Sequence, residues 1–271
     1  PQLTDRAALL RNRARADEDG LFLLELVAAE IKERLIEVNR TFTSIAIVTG
    51  FPGFWQAQFP DATVVSDEET LALEPASFDL VLHMMALHWA NDPVGQLVQA
   101  RHALKPDGLL LATCFGGQTL HELRASLAEA EAVVAGGLSP RIAPMGEIRD
   151  LGALLQRAGF ALPVADGSAL VANYGNLFHL MHDLRKMGET NALAHRSRHF
   201  TMRNIITEAA SVYAENFSND DRRIDATFEI ITLTGWGPSD TQPKALRPGS
   251  AKTRLADALG TQEKPLDGSK V

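Results

Sequence analysis

Between Phe78 and Met84 the chain reads F-D-L-V-L-H-M, with apolar side chains on both parities of the strand period. Neither face of such a strand can be left to water, so it belongs inside a sheet that helices cover on both sides. The residues that follow obey the same rule. Pro93 to Leu104 has helical spacing, "KPDG" at Lys105 to Gly108 is a turn with proline after the helix and glycine at its exit, and Leu109 to Cys114 is a second apolar run. Strand, helix, turn and strand make a βαβ unit. Ile45 to Val48 and Ala62 to Val65 add two shorter strands. The expected fold class is α/β: a Rossmann-like, doubly wound, mostly parallel sheet.

Around this core the pattern is helical. From Thr4 to about Glu37 leucines recur at three- and four-residue steps and Gly20 divides the segment, which predicts two lead-in helices over residues 1–40. Residues 41–160 are the α/β core, ending in helices over Thr119 to Ala135 and Ile148 to Ala158. Residues 161–237 read as a helical insertion with a closing strand of the same domain: a short strand at Ala169 to Val171, helices at Leu177 to Met187 and Arg203 to Phe217, and Ala226 to Thr234 joining the sheet antiparallel at its edge. Residues 238–271, rich in Pro, Gly, Ser and Lys, read as a mobile tail.

Composition narrows the function classes. A formal charge of −8 argues against nucleic acid bound by broad phosphate neutralisation. No run of 18 apolar residues exists, so no transmembrane helix is expected. The N-terminal arginines come without the apolar core of a secretory signal, and Asp5, Asp17, Glu18 and Asp19 are wrong for a transit peptide, so the segment reads as part of the fold. The single cysteine, Cys114, reads as a small buried hydrophobe, and the expected compartment is the reducing cytoplasm.

"IAIVTGFPGFW", Ile45 to Trp55, runs a strand into a turn with Gly50 and Gly53, where a ligand could approach the backbone. Phe51 and Pro52 stand between them, one adding bulk and the other removing an N–H donor. His88 and Trp89 follow the Phe78 strand at its C-terminal end, the edge where open α/β sheets bind ligands. His88 there is either a proton acceptor or a polar cap over a packed Trp89. Gly116, Gly117 and Thr119 form either an anion-binding helix start or a plain glycine turn. His83, with no acid or second histidine at ligand spacing, reads as a core histidine and no metal site is expected. His195 to His199 with Arg203 makes a local basic surface in an acidic protein.

Three stretches, "SFDLVLHMMALHWANDP" (Ser77 to Pro93), "ALKPDGLLLATCFGGQTLHELR" (Ala103 to Arg124) and "SPRIAPMGEIRDLGALLQRAGF" (Ser139 to Phe160), resemble class I S-adenosylmethionine-dependent methyltransferases. Within that superfamily these stretches, "MHDLRKMGETNAL" (Met181 to Leu193) and "LTGW" (Leu233 to Trp236) resemble the respiratory complex I assembly factor branch, whose mitochondrial member is regarded as an arginine hydroxylase for a complex I subunit. The match runs from about Leu3 to Lys252. It implies the cofactor S-adenosylmethionine lying across the ends of the first strands. Carried over position by position, Thr49, Gly50 and Gly53 belong to the cofactor turn, Asp67 to the adenine contact with Glu68 beside it, and His88 to the catalytic edge and the cofactor's neighbourhood. Ile47 stands where the family has an acid, and Thr49 and Phe51 replace two turn glycines. The short spacing from Gly53 to Phe78 leaves room for one strand only, so one β/α unit, and with it the acid that holds the ribose hydroxyls, is missing. The reading is a methyltransferase-like protein with a degraded cofactor motif. The alternative is a non-catalytic assembly or scaffold protein that binds a complex I subunit, and a carboxyl methyltransferase of carrier-bound substrates is a third.

Overall fold

The computed structural model describes residues 2–243, 250 and 253–262. The chain divides into two compact units, Pro1–Ser239 and Asp240–Val271. Among its described residues the second unit has one short helix, Leu255–Leu259. Half of the expected C-terminal tail, residues 244–249, 251–252 and 263–271, lies outside the described residues.

The first unit is built on one six-stranded sheet. In chain order its strands are β1 (Ile45–Thr49), β2 (Thr63–Ser66), β3 (Phe78–Met84), β4 (Leu104–Phe115), β5 (Ala161–Tyr174) and β6 (Ile224–Trp236). Their order across the sheet is β2-β1-β3-β4-β6-β5. The first four run parallel. Strand β6 is antiparallel to β4, and β5 is antiparallel to β6. The helices are α1 (Arg6–Arg13), α2 (Phe22–Glu37), α3 (Pro52–Gln58), α4 (Pro93–Ala103), α5 (His121–Ala135), α6 (Ile148–Arg157), α7 (Leu177–Lys186) and α8 (Arg203–Asn216).

Strand β3 shows why the all-apolar run was needed. Leu80, Leu82 and Met84 enter the larger core cluster with Leu24, Ile31, Trp55, Tyr213 and Phe228, while Val81 points the other way into a cluster with Leu97, Leu110, Leu155 and Ile231. Both clusters are sealed from water, as a doubly covered sheet requires. Between β1 and β3 the chain has room only for α3 and β2, in keeping with the shortened sheet expected from the spacing.

Three local readings are corrected. "KPDG" is not a plain turn between helix and strand: Phe78 pairs with Leu104 and Leu80 with Leu109, so these residues form an irregular excursion inside β4, with Asp107 at φ 61°. The closing strand β6 is not the edge. The edge is β5, which runs for 14 residues rather than three. Its Pro163 sits at a register shift between Ala161 and Val164, where a missing N–H costs nothing.

Candidate functional site

Parallel strands place their C-terminal ends on one rim of the sheet, and the candidate site lies along the ends of β1, β3 and β4. At the first end, Thr49 is fully buried and its hydroxyl accepts the Phe51 N–H at 3.1 Å. The chain turns at Gly50 and enters α3 with Pro52 in the first helical turn, where its absent N–H is harmless. Gly53 lies in α3 with open space beside its Cα. Ile47 is buried in the larger cluster and packs as a core residue.

The space above Gly50 holds the guanidinium of Arg13, which any Cβ at Gly50 would strike. The guanidinium also stands 5.7 Å from the Phe51 ring centroid. Arg13 Nη1 donates to both carboxylate oxygens of Asp67 at 2.9 Å, and Arg6 Nη2 reaches the same carboxylate at 2.7 Å. Burial alone would raise the Asp67 pKa, but the two guanidinium groups outweigh it and hold it at about 2. Glu68 is exposed, and its Oε1 lies 3.5 Å from Arg6 Nη2. Behind Asp67, Gln96 of α4 donates to the carbonyls of Asp67 and Glu68 at 3.2 and 2.9 Å and accepts from His83 Nε2 at 2.9 Å. His83 is therefore a core histidine that fixes the loop, and burial pushes its pKa down.

At the second end, a 3-10 turn at Leu87–Trp89 presents His88 and Trp89. The His88 ring is buried 4.8 Å from the Phe115 ring, and its Nδ1 accepts the Phe115 N–H at 3.4 Å. That leaves Nε2 as the donor toward Glu189 Oε2 at 3.5 Å, while Trp89 Nε1 donates to the same oxygen at 2.7 Å. Glu189 is aimed by a helix end. Gly188, at φ +75°, closes α7 through Glu189 N–H to the Leu184 carbonyl and Gly188 N–H to the Arg185 carbonyl, a Schellman arrangement. Burial raises the Glu189 pKa, but the bonds from His88 and Trp89 and the charge of Arg13 more than offset it and keep the carboxyl below its ordinary range.

Glu189 and Trp89 form one wall of a cavity of about 240 Å³ whose other walls are mostly apolar, among them Phe115, Leu123, Met181 and Phe228. Arg141 also lines it, but its guanidinium is engaged by Glu131 at 2.5 and 2.8 Å and by Thr201 at 2.8 Å. A smaller space shares Phe115 and Glu189 with this cavity, and shares Leu21 and Phe51 with an open groove over Gly50 and Arg13. Three spaces thus run in a row along the rim.

Of the residues expected from sequence, Gly50 and Asp67 are brought together through Arg13, whereas His88 lies farther along the rim and reaches the cavity through Glu189. The glycine pair Gly116–Gly117 is already closed: Gln118 N–H donates to the Glu229 carboxylate at 2.9 Å, and Thr119 bonds to β6 rather than capping α5. The basic stretch is partly neutralised, since Arg196 and Arg198 both pair with Asp5. Sequence reasoning missed Arg6, Arg13 and Glu189. The signals were present: two arginines seven residues apart share a face of α1, and Met187-Gly188-Glu189 has the form of a glycine-closed helix.

The fold family implies S-adenosylmethionine at this rim. Asp67 would be its adenine contact, but that carboxylate is 3% exposed and holds two arginines. Strand β2 ends in Ser66 rather than an acid. With α1 in this place the residues present do not fit the nucleoside half of the cofactor.

A sequence profile described as a methyltransferase domain matches residues 14–112. The chain is 40% identical over 235 residues to the mitochondrial arginine-hydroxylase NDUFAF5 of Danio rerio, covering 87% of this chain and 71% of that protein. It is 40% identical over 202 residues to the Homo sapiens protein of the same name, covering 74% of this chain and 58% of that one. A malonyl-[acyl-carrier protein] O-methyltransferase of Xylella fastidiosa (strain M23) is 35% identical over 180 residues, covering 66% of this chain and 59% of that one. A methyltransferase domain with its helical half, shared at this level over most of the chain, places this protein in the family of the NDUFAF5 arginine-hydroxylases.

Proposed function

We propose that the chain captures an arginine-bearing segment of a protein partner, a respiratory complex I subunit by family resemblance, in the cavity at the end of β4. The observation that carries this reading is Glu189: a carboxylate only 11% exposed and fixed through Oε2 by Trp89 and His88, on the wall of an otherwise mostly apolar cavity. A guanidinium on a three-carbon stem supplies both the charge and the apolar body that such walls accept. At about 240 Å³ the cavity suits one side chain, below the roughly 300–1,000 Å³ typical of sites for whole small molecules. In this reading His88 is a positioning residue that orients Glu189. The relatives' name, arginine-hydroxylase, agrees with the chemistry of the cavity.

The test is fluorescence anisotropy with a labelled alanine-rich peptide carrying one arginine, and the same peptide with lysine or citrulline. Arginine should bind best, citrulline should not bind, and Glu189→Gln should weaken arginine binding roughly tenfold or more, the value of a hydrogen bond to a charged group, about 1.5–3 kcal/mol. Equal binding of the citrulline peptide would sink the proposal.

A second reading, methyl transfer, requires Arg6 and Arg13 to release Asp67, and the row of three spaces joining the Gly50 groove to the cavity favours it. A methyl group on the captured segment, seen as a mass increase after incubation with S-adenosylmethionine, would establish it. An unchanged mass alongside peptide binding would leave capture as the function.

A further inference from the structure

The strand order leaves β5 with β6 on one side and no strand on the other. How much of its backbone stands open there follows from β6. Asp225 N–H donates to the Phe217 carbonyl, Thr227 N–H to the Glu122 carboxylate and Glu229 N–H to the Thr119 hydroxyl, while the Thr227 and Glu229 carbonyls accept from Leu120 and Gly116. These residues turn their backbone groups away from β5. In an antiparallel ladder the residue opposite then turns its own groups outward, so Asn173, Val171 and Ala169 point N–H and C=O out of the sheet, and by alternation so do Gly167 and Ala165. Among the described residues only Arg223 answers any of them, its Nη2 donating to the Asn173 carbonyl at 2.7 Å. An open edge is ordinarily blunted by lysine, proline or a bulge. Pro163 and the register shift before Val164 do this at one end. From Val164 to Tyr174 the pairing with β6 is unbroken, and the stretch has neither proline nor lysine. Its one charge, Asp166, is turned to Arg34 of α2, and its Val164 and Val171 are more than half exposed.

We propose that this edge pairs with the same edge of a second copy of the chain, antiparallel about a two-fold axis at Ala169, so that one sheet runs through a homodimer. Ala169 is the midpoint of the unbroken stretch and one of the residues with outward groups, so on the axis the two Ala169 residues exchange both backbone bonds. Gly167 then faces Val171 of the second copy, where the missing side chain leaves room for the exposed valine. Ala165 faces Asn173 of the second copy. The two ends of the stretch also match in charge. Glu30 and Asp166 share the one guanidinium of Arg34, which leaves that end acidic. At the other end Arg223 is exposed and pairs with no carboxylate among the described residues, since the Asp225 carboxylate beside it is taken by the amides of Asn173 and Asn219. When the Ala165 N–H of the second copy takes over the Asn173 carbonyl, Arg223 is freed for the Asp166 of that copy, and symmetry repeats this at the far end. A strand of another protein would meet the same backbone groups without this reciprocal match, which is what favours a second copy. None of the residues lining the Glu189 cavity belongs to β5, so the inference is independent of what enters that cavity.

Sedimentation velocity of the full chain, from low micromolar to submillimolar concentration, should show a reversible shift from monomer to dimer. Ala169→Pro removes the N–H on the two-fold axis, at a position whose bonding to β6 is untouched and where an edge strand accepts proline. Val171→Lys puts a charge on the paired edge. Each should melt cooperatively and raise the dimer dissociation constant at least tenfold, and Arg223→Glu should weaken the dimer as well. Cross-linking reads the register. Antiparallel residues that exchange both bonds have Cα atoms about 5.5 Å apart, inside the span of about 4.4–6.8 Å that a disulfide bridges. Mild oxidation should therefore join the Ala169→Cys variant into a covalent dimer at least tenfold faster than Asn173→Cys, whose two copies lie at opposite ends of the pair; Cys114 is buried and does not compete. A wild-type chain that stays monomeric throughout overturns the inference. So does a dimer unaffected by both Ala169→Pro and Val171→Lys, which would place the contact elsewhere, or equal cross-linking of the two cysteine variants. Wild-type sedimentation and the Ala169→Cys cross-link read the edge even if the proline variant does not fold.

Discussion

A single nitrogen of Arg13, Nη1, sits 2.9 Å from both carboxylate oxygens of Asp67, and the two side chains are 4% and 3% exposed. The pair ties the lead-in helix α1 to the loop after β2, at the place where sequence resemblance puts a cofactor contact.

Breaking this pair from one side strands the other charge out of water. Asp67→Asn should lower the unfolding free energy by about 3–5 kcal/mol, measured by urea denaturation. Replacing both partners by apolar residues, Arg13→Met with Asp67→Leu, should cost less than the sum of the single changes. Additive losses would mean that the two residues are not coupled.

Asp67 also sets an acid limit. Its folded pKa of about 2 lies below the ordinary 3.8, so the stabilisation is complete above about pH 4 and disappears as pH falls toward 2. The amount at stake is about 2 kcal/mol, from roughly 1.4 kcal/mol per tenfold change in proton affinity. Urea midpoints from pH 5 to pH 2 should drop more steeply for the wild type than for Asp67→Asn.

His83 acts at higher pH. Burial lowers its pKa in the folded state, so the unfolded chain takes up the proton first, and stability should start to fall as pH drops below about 6.5. His83→Gln, which can still donate to Gln96, should flatten melting temperature against pH between about 7 and 5 and leave the lower step from Asp67 in place. A slope retained in that variant would assign it to other groups.

Cys114 should be chemically silent in the native state. It is 1% exposed, and burial pushes its thiol up to about 12. A disulfide reagent at pH 8 should label it only as fast as the protein opens, with labelling complete in seconds once urea is added. Immediate labelling without denaturant would contradict the packing of β4.

The sheet was legible because strand burial is written in composition. β1, β3 and the apolar part of β4 have no polar face, and helical spacing marks α2, α4, α5 and α6. Strand β5 was hidden because half of it faces water and it carries Pro163 and Gly167, which an edge strand tolerates and a central one does not. At the site, Gly50 and Asp67 could be singled out by position along the chain. Their partner could not, because Arg13 lies 54 residues from Asp67 and no local pattern records a contact of that range. Glu189 was inside a quoted stretch, yet only the turn of Gly188 shows where its carboxylate points.

The attachment of α1 also orders events during synthesis. Leu3, Thr4 and Asp5 pair through their backbones with residues 192–194, and Arg6 and Arg13 meet Asp67. Translation makes these anchoring residues well before the segment they bridge to. Loop closure over such a span comes late in folding, after the contacts that are near in sequence. A part of the chain that is made early is therefore placed late. Until residues 192–194 leave the ribosome, residues 3–5 have no backbone partner, and α1 has only the Asp67 carboxylate to hold it over Gly50.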